Sequence, residues 1–124
     1  MDQEQAAVLI EALEEGELEV DVRPTEDALK VEAAVRKLFP DANLVFEAGR
    51  MTGTTGLAMF KKIITEERIR TTIATAFEQN ASAGRSHIDL AKMAAVAGKV
   101  ALDEDFPLGR IRLRVAWPSE ESHK

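Results

Sequence analysis

The stretch that decides the fold lies near the end of the chain and reads Arg110-Ile111-Arg112-Leu113-Arg114-Val115. Charged and apolar side chains alternate along it, and a period of two places them on opposite faces of a half-buried strand. Residues 17–23 alternate in the same way and carry an acidic row of Glu17, Glu19 and Asp21. The sequence therefore predicts two amphipathic strands of opposite charge.

Two interpretations of the arginine row are open at this point. If the two strands are neighbours, the arginines and carboxylates pair across the sheet, for about 0.2–1 kcal/mol per pair. If they are not, three guanidinium groups on one face could follow a phosphate backbone.

Changes of period divide the rest of the chain into further helices and strands. The predicted helices cover residues 3–15, 25–38, 57–64, 65–77 and 91–97. The predicted strands cover residues 17–23, 43–48, 86–90, 99–102 and 110–115, with a loop rich in glycine and threonine at 49–56 and a turn at 103–109. Thr25 and Thr65 stand where the second and fourth helices begin, and we expect them to cap those helices.

This order predicts the α+β class, because strands do not alternate regularly with helices and the last two are joined by a short turn. We expect a two-layer sandwich in which a mostly antiparallel sheet carries helices on one face. The predicted organisation is an extra helix at residues 1–16, a single domain at 17–117 and a flexible polar tail at 118–124.

Composition restricts the classes of function. The chain has 124 residues, no cysteine, 45% apolar residues and a net charge of −6, so we expect one globular cytoplasmic domain with no thiolate chemistry and no membrane segment. The negative charge opposes binding to nucleic acid. The charge is unevenly spread, however: residues 1–50 hold 13 acids and 5 bases, whereas residues 51–114 hold 7 acids and 10 bases. A local basic surface is therefore compatible with the composition.

No catalytic or metal-binding pattern stands out. Ser86, His87 and Asp89 resemble a triad in composition, but in a strand Ser86 and His87 point to opposite faces. His87 and Asp89 share a face, yet no third metal ligand is evident. We therefore expect no catalytic residue, no metal and no cofactor, and a protein that is not an enzyme.

The glycine-rich segment at residues 49–56 precedes a helix, a place where free backbone amides can hold phosphate. The segment lacks the endings typical of nucleotide-binding loops, so a flexible connection is the alternative. Arg50 is the side chain that would accompany a bound anion.

The predicted helical pair carries four cations: Lys61, Lys62, Arg68 and Arg70. Glu66 and Arg70 are four residues apart and could pair with each other instead of with a ligand. Aromatic side chains that could stack on bases are scarce, because the chain has no tyrosine and one tryptophan.

Several short motifs occur in an order that resembles a known family: Pro24-Thr25-Glu26-Asp27, Leu38-Phe39-Pro40, Arg68-Ile69-Arg70, Lys92 with Ala94-Ala95, Gly98-Lys99-Val100, and Pro107-Leu108-Gly109 with Ile111-Arg112. The resemblance covers about residues 17–116 and points to a small archaeal family of uncharacterised proteins that are usually labelled RNA-binding. It implies a fold similar to that of the fifth large-subunit ribosomal protein. The chain departs from the family pattern at Ala91 and Met93, where amides are expected, and at Thr71, where an acid is expected.

Three hypotheses on function follow. The first is a non-catalytic RNA-binding domain that contacts phosphates through some of Arg50, Lys61, Lys62, Arg68, Arg70, Lys92, Lys99 and Arg112. The second is a protein-interaction module or homodimer with no role in nucleic-acid binding, formed through the extra helix or an exposed sheet edge. The third is an enzyme acting on a small phosphorylated ligand at the glycine-rich segment.

Overall fold

A computed structural model of the chain describes residues 1–103 and 110–118, and these ranges contain five strands and five helices. The strands are β1 (Glu15–Asp21), β2 (Asn43–Glu47), β3 (Arg50–Gly56), β4 (Arg85–Ala91) and β5 (Arg110–Ala116). The helices are α1 (Gln3–Glu11), α2 (Ala28–Leu38), α3 (Ala58–Glu66), α4 (Arg70–Gln79) and α5 (Lys92–Val96).

The strands form one sheet in the order β2-β3-β1-β5-β4, and every neighbouring pair is antiparallel. β1 lies at the centre, where Leu18 faces Leu113 of β5 and Val20 faces Ile111. These apolar residues are buried under the helices, whereas the charged residues between them lie on the uncovered face. The predicted α+β sandwich, with helices on one face of the sheet, is confirmed.

The core lies between the sheet and the helices. Phe39 stacks on Phe60 with ring centroids 5.6 Å apart, and Phe77 stacks on Trp117 at 5.0 Å. All four rings are buried, so they stabilise the fold and are not available to stack on bases. α1 contributes Ala6 and Ile10 to the same core and packs against α4.

The predicted loop at residues 49–56 is wrong, because most of it forms strand β3. β2 and β3 are joined by a two-residue turn in which Ala48 and Gly49 have φ of 54° and 78°, as a type I′ hairpin turn requires. Gly53 then lies inside the strand, where a Cβ atom would be only 1.9 Å from the carbonyl oxygen of Asn43. Glycine at position 53 therefore permits the close approach of β2 and β3, and it does not mark a loop.

Both predicted threonine caps are also wrong. Asp27, not Thr25, caps α2 by accepting a hydrogen bond from the backbone N–H of Leu29. Thr65 lies in the last turn of α3, where its hydroxyl donates to the carbonyl of Lys61. Two consecutive helices do form, as predicted, but the second begins at Arg70.

The predicted strand at residues 99–102 is reduced to an isolated bridge between Leu90 and Leu102. The predicted helix at 91–97 and strands at 86–90 and 110–115 are confirmed with small changes at their ends. Most of the predicted turn at 103–109 and most of the predicted tail at 118–124 lie outside the described residues.

Candidate nucleic-acid interface

Ion pairs lie across the uncovered face of the sheet, the face that carries no helices. Arg112 binds Asp89 through two hydrogen bonds of 2.8 and 3.0 Å, and Arg110 approaches the same carboxylate to 3.6 Å. Arg114 lies 3.2 Å from Glu19. Each arginine of the row on β5 is therefore matched with a carboxylate and is not left free for phosphate. Only Arg114 uses the acidic row of β1, as the paired interpretation predicts, whereas Arg110 and Arg112 use Asp89 of β4.

The pairs Asp89–Arg112 and Asp21–Arg50 join residues directly opposite each other, whereas the pairs of Glu19 are diagonal. Glu19 faces Arg112 in the register of β1 and β5, yet it binds Arg114 and also Arg50, the latter at 3.0 Å. Arg50 reaches Asp21 as well, at 3.1 Å. Arg50, the predicted anion partner, is thus held by two carboxylates of its own sheet.

This network shifts the pKa values of its members. Burial acts to raise the pKa of Asp89, but the hydrogen bond and charge of Arg112, together with Arg110, outweigh burial and lower it. The hydrogen bond to Asp89 raises the pKa of Arg112. Burial and the neighbouring Arg112 lower the pKa of His87, so this imidazole adds less positive charge to the face than a free imidazole would.

Ser86 and His87 point to opposite sides of the sheet, as predicted. The Ser86 hydroxyl is buried and donates to the carbonyl of Phe77 at 2.5 Å, whereas His87 lies on the uncovered face with Asp89. Ser86 therefore satisfies a helix carbonyl.

Lys92 is buried, with a relative exposure of 8%. Its ammonium donates to the carbonyl of Asp21 at 2.5 Å and to the carboxylate of Glu26 at 3.0 and 3.3 Å. Glu26 also accepts a hydrogen bond from the backbone N–H of Arg23. Burial acts to raise the pKa of Glu26, but the hydrogen bonds from Arg23 and Lys92 outweigh burial and lower it. Lys92 thus fastens the end of β1 to α5.

A different group of cations lies where α3 meets α4. Arg68 and Arg70 line a polar surface cleft of about 320 Å³ together with Gln3, Thr65 and Thr71. Within residues 1–103 and 110–118, neither arginine has a carboxylate within 4.0 Å. The suggested pair between Glu66 and Arg70 is accordingly not formed.

The start of α4 opens near this cleft. Ile69 is the N-cap residue and supplies no side-chain hydrogen bond, so no side-chain oxygen among the described residues caps the first-turn amides of α4. Arg68 adopts a left-handed conformation with φ of 60° between the two helices. The sequence shows an apolar residue at position 69, but the helix was predicted to begin at Thr65, so the lack of a polar cap at its true start was missed.

The remaining candidates differ in position. Lys61 and Lys62 lie on α3 one turn before Thr65, and the Lys61 ammonium donates to the carbonyl of Glu11 at 3.3 Å. Lys99 follows α5, which packs against α2, and does not line the cleft. The structure therefore brings Arg68 and Arg70 together at one cleft, whereas Lys61 and Lys62 lie on the adjoining helix α3 and Lys99 follows α5.

These features define the class of protein: an α+β sandwich with an ion-paired sheet face and a cleft lined by two arginines that have no carboxylate partner among the described residues. None of the helices in the described ranges is long and apolar enough to cross a bilayer. No protein-family model matches the chain.

The chain belongs to the UPF0201 family. It is 32% identical over 114 residues to a UPF0201 protein of Aeropyrum pernix, covering 82% of this chain and 76% of the relative. It is 30% identical over 116 residues to one of Sulfurisphaera tokodaii, covering 85% and 80%. The crystal structure of the UPF0201 protein from Methanococcus jannaschii superposes with a TM-score of 0.75 at 26% identity, covering 84% and 82% of the two chains. A second UPF0201 crystal structure gives 0.77 at 24% identity, covering 84% and 83%. The predicted archaeal family of uncharacterised proteins is thereby confirmed.

Proposed function

We propose that the protein is a non-catalytic RNA-binding domain that contacts phosphates at the corner formed by α3 and α4. Arg68 and Arg70 are the principal contacts, and Lys61 and Lys62 extend the basic surface along α3. The motifs resemble a family that is usually labelled RNA-binding, and this sequence resemblance supports the same proposal.

The observation that carries the proposal is the cleft at the start of α4. Two arginines without carboxylate partners in the described part of the chain lie beside a helix start that no side chain caps. Amide N–H groups and the helix dipole favour an anion at such a position, and guanidinium groups bind phosphate oxygens in pairs. The corner thus offers the two kinds of donor that a phosphate accepts.

Four of the cations that the sequence suggests are left out of the contact set, and one of them, Lys99, does not line the cleft. Arg50 and Arg112 have their charges matched by carboxylates on the sheet, and Lys92 is buried against Glu26. A phosphate could engage them only by displacing these carboxylates, at the cost of leaving charges unpaired.

The net charge of −6 does not prevent local binding, because at physiological ionic strength charges are screened beyond about 8 Å. The attraction must therefore come from the few cations at the corner. With four phosphate contacts on a single strand, the logarithm of the association constant should fall against the logarithm of salt concentration with a slope of about −3.

The test is a salt titration of binding to a short, labelled single-stranded RNA, followed by fluorescence anisotropy. Replacement of Arg68 and Arg70 by glutamine should reduce the slope to about −1.4, because two phosphate contacts are lost. Lys30→Gln is the matched control: it removes one positive charge from an exposed site on α2 and should leave the slope unchanged. The proposal is refuted if the wild-type protein does not bind or if the double variant keeps the full slope.

A further inference from the structure

The edge strand β2 exposes apolar side chains. Val45 is 59% exposed and Phe46 53% exposed, on a strand that pairs only with β3 among the five strands of the described ranges. Native proteins usually protect such edges with lysine, proline, bulges or covering segments. The sequence Asn43-Leu44-Val45-Phe46-Glu47 has neither lysine nor proline.

The opposite edge of the sheet is protected. On β4, the carbonyl of His87 accepts from the side-chain amide of Asn80 at 2.8 Å, and the carbonyl of Asp89 accepts from the N–H of Asp103 at 2.9 Å. The N–H of Ala91 donates to Ala101 at 2.8 Å. The contrast between the two edges shows that β2 is the one left open to pairing.

The hairpin turn determines which backbone groups of β2 face outward. In a two-residue hairpin, Glu47 and Arg50 form a hydrogen-bonded pair, and such pairs alternate along the ladder. Val45 therefore bonds to β3, whereas the N–H and C=O groups of Leu44 and Phe46 point away from it. Within residues 1–103 and 110–118, these groups of Leu44 and Phe46 have no other hydrogen-bond partner.

We propose that a second copy of this chain binds at β2, with the two strands antiparallel about a two-fold axis at Val45. Leu44 of each copy then faces Phe46 of the other, and the outward groups of these two residues form four backbone hydrogen bonds. Val45 meets Val45 on the uncovered face. The result is a continuous sheet of ten strands.

The strand is complementary to itself in this register. Leu44 meets an aromatic partner and Val45 an aliphatic one, and such cross-strand pairs are favourable. Asn43 faces Glu47 of the other copy, so no two like charges are opposed. A register shifted by one residue would pair inward-facing groups, and one shifted by two would leave part of this five-residue strand unpaired. A two-fold contact of identical surfaces closes without forming a filament.

Sedimentation velocity tests the proposal. The area that five residues bury is small, so dimerisation should depend on concentration and be visible as protein rises from about 10 µM to about 500 µM. Val45→Lys and Val45→Glu should each be monomeric throughout, because like charges meet at the axis. Val8→Lys is the matched control: it adds a lysine at an apolar position that is 66% exposed on α1, and it should dimerise like the wild type.

Mixing the two Val45 variants gives the decisive result. A lysine on one copy faces a glutamate on the other, so the equimolar mixture should recover dimers that neither variant forms alone. A wild-type protein that stays monomeric at the highest concentration overturns the proposal. Val45→Lys that still dimerises, or a mixture that remains monomeric, overturns pairing centred on Val45.

Discussion

Replacement of Lys92 by methionine separates the structural role of this residue from a role in binding RNA. Methionine retains most of the apolar stem of lysine and removes the ammonium, so the change is mainly one of charge and hydrogen bonding. The substitution therefore removes the hydrogen bonds that the ammonium donates to the Asp21 carbonyl at 2.5 Å and to the Glu26 carboxylate at 3.0 and 3.3 Å. The end of β1 is then no longer fastened to α5.

The expected loss follows from burial. Hydrogen bonds to charged groups contribute about 1.5–3 kcal/mol each, and breaking a fully buried ion pair costs about 3–5 kcal/mol. The Glu26 side chain is 27% exposed, so water solvates part of the carboxylate that remains. We therefore expect Lys92→Met to lower the free energy of unfolding by about 2–3 kcal/mol.

Urea denaturation followed by circular dichroism measures this loss. The matched control is Lys30→Met on the exposed side of α2, which should change stability by less than about 0.5 kcal/mol. Combining Lys92→Met with Glu26→Gln in a double-mutant cycle should give a coupling of about 1–2 kcal/mol, since the two side chains contact each other.

Two results would refute this reasoning. Lys92→Met with the stability of the wild type would show that the ammonium does not hold β1 and α5 together. A folded Lys92→Met protein whose salt slope for RNA falls by about 0.7 would show that Lys92 contacts a phosphate.

Two further changes test the sheet and its turns. Asp89→Asn should lower the free energy of unfolding by about 1–3 kcal/mol at pH 7. Because the folded-state pKa of Asp89 is lowered, the stability that this carboxylate contributes is present above the unfolded pKa of about 3.9 and is lost as pH falls through the folded value. Urea denaturation should therefore show a smaller stability difference between variant and wild type at pH 3 than at pH 7, and a constant difference would contradict the assignment. Ala83→Asn should stabilise the protein by about 0.5–1 kcal/mol, because Ala83 has φ of 55° before Gly84 at 81° and Asn-Gly suits this turn better than Ala-Gly; a lower midpoint of thermal unfolding would count against the turn geometry.

Alternation of side chains predicted the sheet better than composition did. The arginine and acidic strands have strict period-two patterns, and both form, although the acidic strand begins and ends two residues earlier than predicted. β3 has no such apolar pattern: of Arg50-Met51-Thr52-Gly53-Thr54-Thr55-Gly56, only Met51 is a large apolar residue. Gly53 is required by the approach of the Asn43 carbonyl, a contact between strands that no local pattern reveals.

The candidate site was only partly predictable for a related reason. A charge pattern shows that Arg112 lies on the outer face of a strand, but its partner Asp89 comes from β4, and the order of strands decides which acids reach it. Lys92 was predicted among the phosphate contacts, a role that needs an accessible ammonium, and lysine is rarely buried. Its burial depends on Glu26 and the Asp21 carbonyl, which are about 70 residues away in sequence and meet it only in the folded chain.

The basic corner and the open edge occupy different parts of the molecule. α4 packs against β4, at the edge of the sheet opposite β2, so pairing through β2 would leave both clefts of a dimer accessible. Strands in a sheet lie about 4.8 Å apart, which places the two β4 strands of a ten-stranded sheet about 43 Å from each other. A short RNA cannot span that distance, and its affinity reports on one corner alone. Loss of dimers in Val45→Lys should therefore leave short-RNA binding intact, and each proposal can fail without affecting the other.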